Sequence, residues 1–369
     1  MKAKSNIKAI ISGGGTGGHI FPAIAIANSL KRLLPGIDIL FVGAKGKMEM
    51  EKVPAAGYKI IGLPVAGFRR KISLSFITTI IKLIISLIKA RKIISTFKPD
   101  IVIGVGGYAS GPILKIATKK KIPSLIQEQN SFAGITNKLL GNKVLKICVA
   151  YDGMDKYFPK DKIVLAGNPI RKDFIDIKSK VEEAREFYKI NTEKVLFITG
   201  GSLGARSINE AVYENIELLN RNDLTVIWQT GKLYLEEMKQ RTTKKKLKNF
   251  ILLDFIARMD LAYAISNAVV SRSGALTCAE LAVTGKPAIL IPSPNVAEDH
   301  QTRNAMAFVE KDAAVMIPDK DSIQCLGNEI INLLNDEEKQ MTLSENIKKL
   351  AIPDADDKIA GEILKILKN

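Results

Sequence analysis

Cysteine is scarce in this sequence of 369 residues, and its spacing excludes both a disulfide framework and a cysteine-based metal site. The first residues also lack the apolar core of a secretion signal, because the run that follows them breaks at Gly13. We therefore expect a reduced compartment and a protein that is cytosolic or faces the cytosol. The cysteines are Cys148, Cys278 and Cys325.

Acidic residues are scarce in the first half only. Residues 1–170 contain 27 Lys and Arg against 8 Asp and Glu, whereas residues 171–369 contain 28 against 30. The excess behind the net charge of +17 therefore lies in the first half, which predicts an anionic partner there, either nucleic acid or an anionic membrane surface. The sequence lacks basic segments interleaved with aromatic residues, so we expect no nucleic acid.

Short apolar runs alternate with segments of helical spacing, which is typical of an α/β fold with a parallel sheet between helices. The alternation restarts after residues 167–171, where Gly-Asn-Pro-Ile-Arg indicates a domain boundary. We predict a first helix over 21–34 and a last one over 359–367. Strands are predicted at 7–12, 37–42, 101–105, 124–127, 147–150, 195–199, 225–229, 250–253, 268–271 and 288–292.

Two glycine-rich turns, at residues 13–18 and 200–205, follow predicted strands. Backbone N–H groups at a helix start bind anions, so each turn is a candidate phosphate site. The first turn also fits the dinucleotide pattern Gly-x-Gly-x-x-Gly. However, the second strand ends at residues 40–45 without the carboxylate that would bind a ribose. The sequence therefore argues against NAD or FAD.

His19 directly follows the first turn and is one of only two histidines. A histidine on a functional turn serves as a general base near neutral pH, although a lone histidine is more often structural. A third glycine-rich turn at 104–112 and the polar run 127–130 also end predicted strands. We expect both at the carboxyl edge of the sheet, where open α/β sheets bind ligands, with plain turn formation as the alternative.

In the second half, residues 271–280 run from a predicted strand into a helix whose start can accept phosphate. Glu280 lies about one and a half turns into this helix, at a place where a carboxylate binds sugar hydroxyls. Gln301 and Asn304 are three residues apart and share a helix face, which suits hydrogen bonds to a sugar.

Residues 72–88 form an apolar run that is interrupted by Lys82 and bounded by basic residues. The run is too short and too interrupted for a transmembrane helix. We expect much of it in the core and its N-terminal part, ringed by cations, at an anionic membrane surface. Whether Phe76 and Ile77 face lipid or core stays open. Lysines that would widen this surface are Lys119, Lys120, Lys121, Lys138, Lys143 and Lys146.

Seven motifs occur in one order between residue 7 and about residue 310, and together they resemble the bacterial MurG family of peptidoglycan glycosyltransferases. The motifs are Gly14-Gly15-Thr16-Gly17-Gly18-His19, Gly106-Gly107-Tyr108 with Gly111-Pro112, Glu128-Gln129-Asn130, Gly167-Asn168-Pro169-x-Arg171, Gly200-Gly201-Ser202-x-Gly204-Ala205, Ser271-Arg272-Ser273-Gly274-Ala275-x-Thr277-x-x-Glu280 and Gln301-x-x-Asn304-Ala305.

The resemblance implies a GT-B fold of two Rossmann-like domains with a cleft between them. Residues 1–168, with a C-terminal helix at about 353–369, would bind the acceptor and the membrane, and residues 169–352 would bind the UDP-sugar donor. The implied reaction moves N-acetylglucosamine, with inversion, from its UDP ester to the C4 hydroxyl of the muramyl sugar of lipid I, giving lipid II. It would take place on a peripheral protein at the cytoplasmic face of the inner membrane. The implied partners are UDP-N-acetylglucosamine, lipid I, the anionic membrane surface and cell-wall synthesis proteins.

The resemblance also implies roles for single residues. His19 is the candidate base, or instead positions the acceptor, and Arg171 is the counter-charge of the diphosphate. No cofactor and no metal is expected, because Asp354-x-Asp356 is interpreted as a helix start. The implied donor site comprises Thr16, Gly17, Gly18, Asn130, Arg171, Ser202, Ile256, Ala275, Leu276, Thr277, Glu280 and Gln301, and the implied acceptor site comprises Gly106, Gly107 and Tyr108.

Two positions depart from the family pattern: Leu203 and Gln127 stand where the family often has Gln and His, respectively. Two further hypotheses stay open at this point. One is another GT-B enzyme, such as a glycolipid transferase or a UDP-sugar epimerase, and an epimerase would need no acceptor. The other is a nucleic-acid-binding protein that uses the basic half.

Overall fold

The structure, a computed structural model, describes residues 7–65 and 74–368, with the backbone alone for residues 74–77 and 297. The chain divides into two compact units: unit 1 is Met1–Ile170 with Asp354–Asn369, and unit 2 is Arg171–Pro353. Each unit contains one parallel sheet, so the predicted α/β class with two Rossmann-like halves is confirmed. The basic residues 69–71 of the predicted membrane surface lie outside the described residues.

Unit 1 has seven parallel strands in the order β3-β2-β1-β4-β5-β6-β7. The inner strands are nearly continuous apolar runs, as is typical of strands buried on both faces. The strands are β1 (Lys8–Ser12), β2 (Asp38–Ala44), β3 (Lys59–Leu63), β4 (Ile101–Gly104), β5 (Ser124–Glu128), β6 (Lys146–Val149) and β7 (Ile163–Leu165). The helices between them are α1 (Gly17–Leu33), α2 (Glu49–Ala55), α3 (Leu74–Phe97), α4 (Ser110–Lys119) and α5 (Ile135–Gly141).

Unit 2 has six parallel strands in the order β10-β9-β8-β11-β12-β13. They are β8 (Lys194–Thr199), β9 (Leu224–Gln229), β10 (Phe250–Leu253), β11 (Ala268–Ser271), β12 (Ala288–Leu290) and β13 (Val315–Met316). Its helices are α6 (Val181–Tyr188), α7 (Arg206–Glu214), α8 (Ile216–Arg221), α9 (Leu235–Thr242), α10 (Met259–Ile265), α11 (Ala275–Thr284), α12 (His300–Val309), α13 (Ser322–Asn335) and α14 (Glu337–Lys348).

The first helix begins earlier than its predicted start at residue 21. The glycine-rich turn itself enters α1, so that Thr16 is the N-cap and His19 is the third helical residue. The prediction was wrong here because the apolar periodicity that marks a helix cannot be seen across two glycines. As a result, His19 has a fixed helical backbone instead of a place in a loop.

The last helix, α15 (Ala355–Lys368), returns to unit 1 and packs on α1. The hydroxyl of Ser29 donates to Asp357 at 2.5 Å, and Arg32 forms an ion pair with the same carboxylate. Ile359 and Ile363, one turn apart, are fully buried in the core of unit 1. The predicted helix start at Asp354-x-Asp356 is confirmed, and the neighbouring Asp357 attaches this helix to α1.

Each sheet changes strand order beside its first strand. In unit 1, β1 lies between β2 and β4, and in unit 2, β8 lies between β9 and β11. The loops that leave β1 and β4, or β8 and β11, therefore run in opposite directions from neighbouring strand ends. Open α/β sheets bind ligands at such points, which directs attention to these four loops.

Candidate active site

The imidazole ring of His19 lies at the strand-order change of unit 1, and its hydrogen bonds define which nitrogen carries the ring proton. Nδ1 is 3.1 Å from the carbonyl oxygen of Gly14 and 3.2 Å from Oγ1 of Thr16. A carbonyl oxygen has no hydrogen to donate, so Nδ1 of the neutral ring must be the donor. Nε2 then carries the lone pair, which is the arrangement that a general base requires.

The glycines of the β4–α4 loop make room for this histidine. A Cβ atom on Gly106 would lie 2.7 Å from Cδ2 and 2.8 Å from Nε2 of His19. A Cβ atom on Gly107 would lie 2.2 Å from the carbonyl oxygen of Gly14. Any side chain at either position would displace the ring or its acceptor, whereas the neighbouring Tyr108 is exposed.

A buried carboxylate occupies the turn that the sequence suggested as a phosphate site. Glu49 of α2 is 1% exposed, and its two oxygens accept the N–H of Gly15 at 3.1 and 3.0 Å. The same carboxylate accepts the N–H of Ala44 at 2.8 Å. The anion-site interpretation of this turn therefore needs correction, because the Gly15 amide already has an anionic acceptor within the chain. Thr16, Gly17 and Gly18, where α1 begins, remain as the candidate ligand groups.

The polar run after β5 is organised by its own acidic residue. The carboxylate of Glu128 is buried and accepts hydrogen bonds from the backbone of Asn130 and Gly134 and from Nδ2 of Asn137. These bonds hold Asn130 at the carboxyl edge of the sheet. Glu128 thereby has a positioning function.

Gln127, which stands where the family often has His, belongs to a buried amide network. Its Nε2 donates to Oδ1 of Asn168 at 3.0 Å, and Asn168 donates back to the carbonyl of Gln129 at 2.9 Å. Gln129 in turn donates to Gln127 and to the carbonyl of Val105. The network joins the loops that follow β4, β5 and β7.

Helix α3 exposes apolar side chains over residues 80–88, the later part of the apolar run, where the sequence predicted core. Ile81, Ile84, Ile85 and Ile88 follow the spacing of a single helical face and are 50%, 52%, 47% and 67% exposed. Lys82, Lys89, Arg91 and Lys92 lie along the same helix. Within residues 7–65 and 74–368, no helix is long and apolar enough to cross a bilayer. We call the four isoleucines the apolar face of α3.

In unit 2, Gln229 connects two candidate ligand loops. This side chain, 2% exposed at the end of β9, donates from Nε2 to Oγ1 of Thr199 at 3.2 Å and to the carbonyl of Gly201 at 2.8 Å. Its Oε1 accepts the N–H of Ile256 at 2.9 Å. The N–H of Ile256 therefore already has an acceptor within the chain. Ser202 is exposed in the loop that Gln229 supports.

The loop between β11 and α11 is fixed by hydrogen bonds from its own Arg272 to neighbouring segments of unit 2. Arg272 donates to the carbonyl of Ile291, to Ser207 and to Asp319, so its charge serves the loop itself. Gly274 is the N-cap of α11. The first turn of the helix presents the backbone N–H groups of a helix start, the kind of group that binds phosphate oxygens. The predicted residues of this turn are Ala275, Leu276 and Thr277.

Gln301 and Asn304 of α12 have different surroundings, although they share a helix face. Asn304 is fully buried and donates to the carbonyl of Ser273 at 3.3 Å, so it supports the loop before α11. Gln301 is partly exposed, and its Oε1 accepts the N–H of Ser293 at 2.8 Å. This bond leaves the amide nitrogen of Gln301 as the group that can meet a sugar.

Glu280 is partly buried in α11 and accepts a hydrogen bond from one hydroxyl group, that of Tyr263. Burial raises the pKa of Glu280 to about 7, although the charge of Arg171 and a hydrogen bond from Tyr263 both oppose this shift. Arg171 lies over the ring of Phe174 at 4.6 Å, and Phe174 packs edge-on against Tyr263 at 5.5 Å. The aromatic pair thus brings Arg171 and Glu280 into electrostatic range of each other.

Three residues of these sites were not among the sequence predictions: Glu49, Gln229 and Tyr263. Each acts over a sequence separation that no local pattern reveals, such as the 34 residues between Gly15 and Glu49. A weak signal existed for Gln229, which is the polar last residue of a predicted strand. Glu49 is one of the few acids in the first half, and its burial was not visible in the sequence.

Two family models match the chain. The Glycosyltransferase family 28 N-terminal domain matches residues 9–149, and the Glycosyltransferase family 28 C-terminal domain matches residues 195–359. A protein of Parabacteroides distasonis, 53% identical over 97% of this chain and 98% of its own length, is named UDP-N-acetylglucosamine–N-acetylmuramyl-(pentapeptide) pyrophosphoryl-undecaprenol N-acetylglucosamine transferase.

Solved structures share the fold of this chain. The crystal structure of MurG from Acinetobacter baumannii is 26% identical, with a TM-score of 0.80 over 97% of this chain and 99% of that one. A UDP-GlcNAc 2-epimerase from Neisseria meningitidis, bound to UDP-GlcNAc, has a TM-score of 0.68 at 14% identity over 98% of this chain and 100% of that one. At that identity, the epimerase bears on the fold alone.

Proposed function

The chain belongs to the glycosyltransferase family 28, and from this premise we propose that its two units divide one glycosyl transfer between them. The chain transfers N-acetylglucosamine from UDP-N-acetylglucosamine to the muramyl sugar of lipid I, giving lipid II. The observation that carries this function is the 53% identity to a transferase of that name over nearly the whole of both chains. The same observation favours the transferase over an epimerase, with which the chain shares only the fold.

We assign the acceptor chemistry to His19. The C4 hydroxyl of the muramyl sugar gives its proton to Nε2 while its oxygen forms the new bond to C1 of N-acetylglucosamine. The bond from C1 to the β-phosphate oxygen breaks at the same time, and UDP leaves on the opposite face, which inverts the configuration. The Nδ1–H bond to Gly14 supports this role, because it leaves the lone pair on the other nitrogen. Gly106, Gly107 and Tyr108 are proposed to line the acceptor side.

We assign the donor to unit 2. The charge that develops on the departing β-phosphate meets backbone N–H groups of the Ser202 loop and of the first turn of α11, which need no reorganisation during reaction. Arg171 supplies the counter-charge. Glu280 accepts from the ribose hydroxyls, Ile256 offers its carbonyl to uracil, and Gln301 contacts the sugar. The residues of unit 1 that we propose to bind the UDP-sugar donor are Thr16, Gly17, Gly18 and Asn130.

Docking on a membrane is the third part of the proposal. Lipid I carries an undecaprenyl chain, so its head group is met at a bilayer surface. The apolar face of α3 exposes four isoleucines among cations, and the first half of the chain contains the basic excess. An interfacial helix of this kind gains from apolar burial and from about 1 kcal/mol per cation near an anionic leaflet. We therefore propose a peripheral protein at the cytoplasmic face of the inner membrane.

A single assay tests the transferase function. UDP release from UDP-N-acetylglucosamine is followed with and without lipid I, and the glycolipid product is identified by mass spectrometry. We expect UDP release and lipid II only when lipid I is present. Conversion of the UDP-sugar into an epimer in the absence of lipid I would instead support the epimerase alternative.

A further inference from the structure

We propose that Glu49 is a positioning residue that acts on His19 through the peptide group between Gly14 and Gly15. This inference rests on the proposed function, in which His19 accepts the proton of the acceptor hydroxyl. The carboxylate of Glu49 does not reach the imidazole of His19. It accepts the N–H of the peptide group between Gly14 and Gly15, and the carbonyl oxygen of that peptide group contacts the imidazole. We call the carboxylate, the peptide group and the imidazole the relay, because the peptide group transmits the effect of the carboxylate charge to the ring.

The geometry of this relay is given by two sets of hydrogen bonds. Both oxygens of Glu49 accept the N–H of Gly15, at 3.1 and 3.0 Å. The carbonyl oxygen of Gly14, which belongs to the same peptide group, lies 3.1 Å from Nδ1 of His19. In a trans peptide, the N–H and the C=O point in opposite directions, so the three groups form one line of hydrogen bonds.

Glycines occupy the positions that pack against Glu49 and against the carbonyl group of Gly14. A Cβ atom on Gly43 would lie 2.5 Å from Cγ of Glu49, and one on Gly14 would lie 2.0 Å from its Oε1. On the other side of the peptide, a Cβ atom on Gly107 would lie 2.2 Å from the Gly14 carbonyl oxygen. A loop that only needed to turn would not require space at all these places. The packing is therefore built around the relay.

The chemistry follows from polarisation of the peptide. A carboxylate that accepts the N–H draws the peptide dipole toward it and makes the carbonyl oxygen more negative, so that the bond to His19 becomes stronger. The positive imidazolium formed when His19 takes the acceptor proton gains most from this bond. Outer partners of metal-bound histidines orient the ring and raise its basicity in the same way. No proton moves along the relay, and His19 alone exchanges a proton.

The other charged groups near Glu49 and His19 are exposed, lie at a distance or have partners elsewhere. Lys45 and Lys47 before α2, and Glu51 and Lys52 within α2, are all exposed. Lys59 of β3 is exposed, Lys89 of α3 donates to the Gly62 carbonyl, and Lys31 and Arg32 lie at the far end of α1. On the β5 side of His19, the carboxylate of Glu128 accepts from Asn130, Gly134 and Asn137. Among these groups, Glu49 alone has bonds to the glycine-rich turn before α1.

The test uses the fact that the chain has only two histidines, His19 and His300. The imidazole signals are followed by NMR against pH in the unaltered protein, in Glu49→Gln and in Glu51→Gln. The second substitution makes the same chemical change on the same helix, at a side chain that is 79% exposed. His300→Gln assigns the two rings. The pH profile of kcat/KM for lipid I is measured for the same proteins at saturating UDP-N-acetylglucosamine, so that protonation of Glu280 does not enter the profile.

We expect Glu49→Gln to lower the pH at which His19 titrates, and with it the acidic limb of the kcat/KM profile, by about half a pH unit. We also expect a roughly tenfold lower plateau, as for outer partners of metal-bound histidines. Glu51→Gln should match the unaltered protein. If Glu49→Gln loses activity while His19 titrates as before, Glu49 only holds the loop in shape and the relay is refuted.

Two measurements on the unaltered protein keep the test valid if Glu49→Gln does not fold. The ¹⁵N shifts of His19 must show the hydrogen on Nδ1, and the Gly15 amide proton must shift with the same midpoint as His19. A hydrogen on Nε2, or a Gly15 amide that ignores the titration, overturns the inference. Neither measurement uses activity, so failure of the relay and failure of the transferase assay are separate results.

Discussion

The hydroxyl group of Tyr263 lies 3.3 Å from Oε2 of Glu280 and donates a hydrogen bond to it from a ring that is wholly buried. The ring packs edge-on against Phe174 on one side and Phe197 on the other. Its position is therefore fixed by the core of unit 2. This phenol stabilises the charged form of a carboxyl group whose pKa burial raises to about 7.

Donor affinity should depend on pH near neutrality. Burial raises the pKa of Glu280 to about 7, so the carboxylate that accepts from ribose hydroxyls is present above that pH and is lost as the pH falls through it. We expect calorimetric affinity for UDP to rise from about pH 5.5 and to level off above about pH 8. Glu280→Gln should bind weakly with a flat profile. A wild-type affinity that does not change over this range would refute the ribose role.

Tyr263→Phe tests the partner of that carboxylate. The substitution removes the hydrogen bond that lowers the pKa of Glu280, so the midpoint of the UDP affinity profile should move to higher pH, by about half a unit. Tyr234→Phe, in the β9–α9 region of the same unit, is the matched control and should leave the midpoint in place. The same midpoint in both variants would mean that Tyr263 only fills space.

His19→Ala should lower turnover by roughly 10²–10⁴, the usual contribution of a general base. The acidic limb of the kcat/KM profile for lipid I, measured at saturating UDP-N-acetylglucosamine, should disappear, because no group remains at that position to be protonated. UDP affinity, measured on the same variant, serves as the internal control and should stay close to wild type. A raised KM for lipid I with an unchanged kcat and an intact acidic limb would instead support the acceptor-positioning alternative.

Gln229→Leu should weaken both the donor site and the fold. The leucine cannot accept the N–H of Ile256 or donate to the Gly201 carbonyl, so buried backbone groups lose their partners at a cost of about 1–3 kcal/mol in the free energy of unfolding. We expect UDP affinity to fall by about tenfold, because the phosphate loop and the uracil loop lose their link. Gln240→Leu makes the same change on an exposed face of α9. Similar losses in the two variants would show that the link has no role.

The inner strands of both sheets could be predicted from the sequence, whereas three of the four edge strands could not; the exception is β10. Every predicted strand is present within one or two residues of its predicted bounds. The strands that were missed are β3, β7 and β13, and each lies at the edge of its sheet. An edge strand is covered less completely, so its apolar run is short, as in the three residues of β7. The periodicity on which such predictions depend is then too brief to recognise.

The candidate site was predictable where chemistry lies next to a turn. His19, Ser202 and the start of α11 lie on loops or helix starts that follow strands, and chain order alone places them there. The groups that tune them come from elsewhere in the chain. Glu49 reaches Gly15 from α2, and Tyr263 reaches Glu280 from α10. Such pairs depend on tertiary packing, which a local motif does not encode.

Membrane docking through the apolar face of α3 can be separated from attraction by net charge. Ile88 is 67% exposed, so Ile88→Glu removes apolar contact and adds an anion, whereas Met341→Glu makes a similar change at a residue of unit 2 that is 60% exposed. Partition into phosphatidylglycerol vesicles is measured by flotation at low and at high salt. Salt screens the charge term, so apolar contact should dominate at high salt.

We expect Ile88→Glu to lower vesicle binding by roughly tenfold at high salt, which corresponds to partial loss of the burial of one isoleucine. Met341→Glu should bind like the unaltered protein, and UDP affinity should be the same in both variants because neither residue is among those assigned to the donor. At low salt, Ile88→Glu should lose this apolar contribution and also the attraction cancelled by one added negative charge, whereas Met341→Glu should lose only the small contribution of its changed charge. Equal vesicle binding of the two variants at high salt would mean that α3 does not touch the bilayer. Attachment would then depend on the basic surface alone.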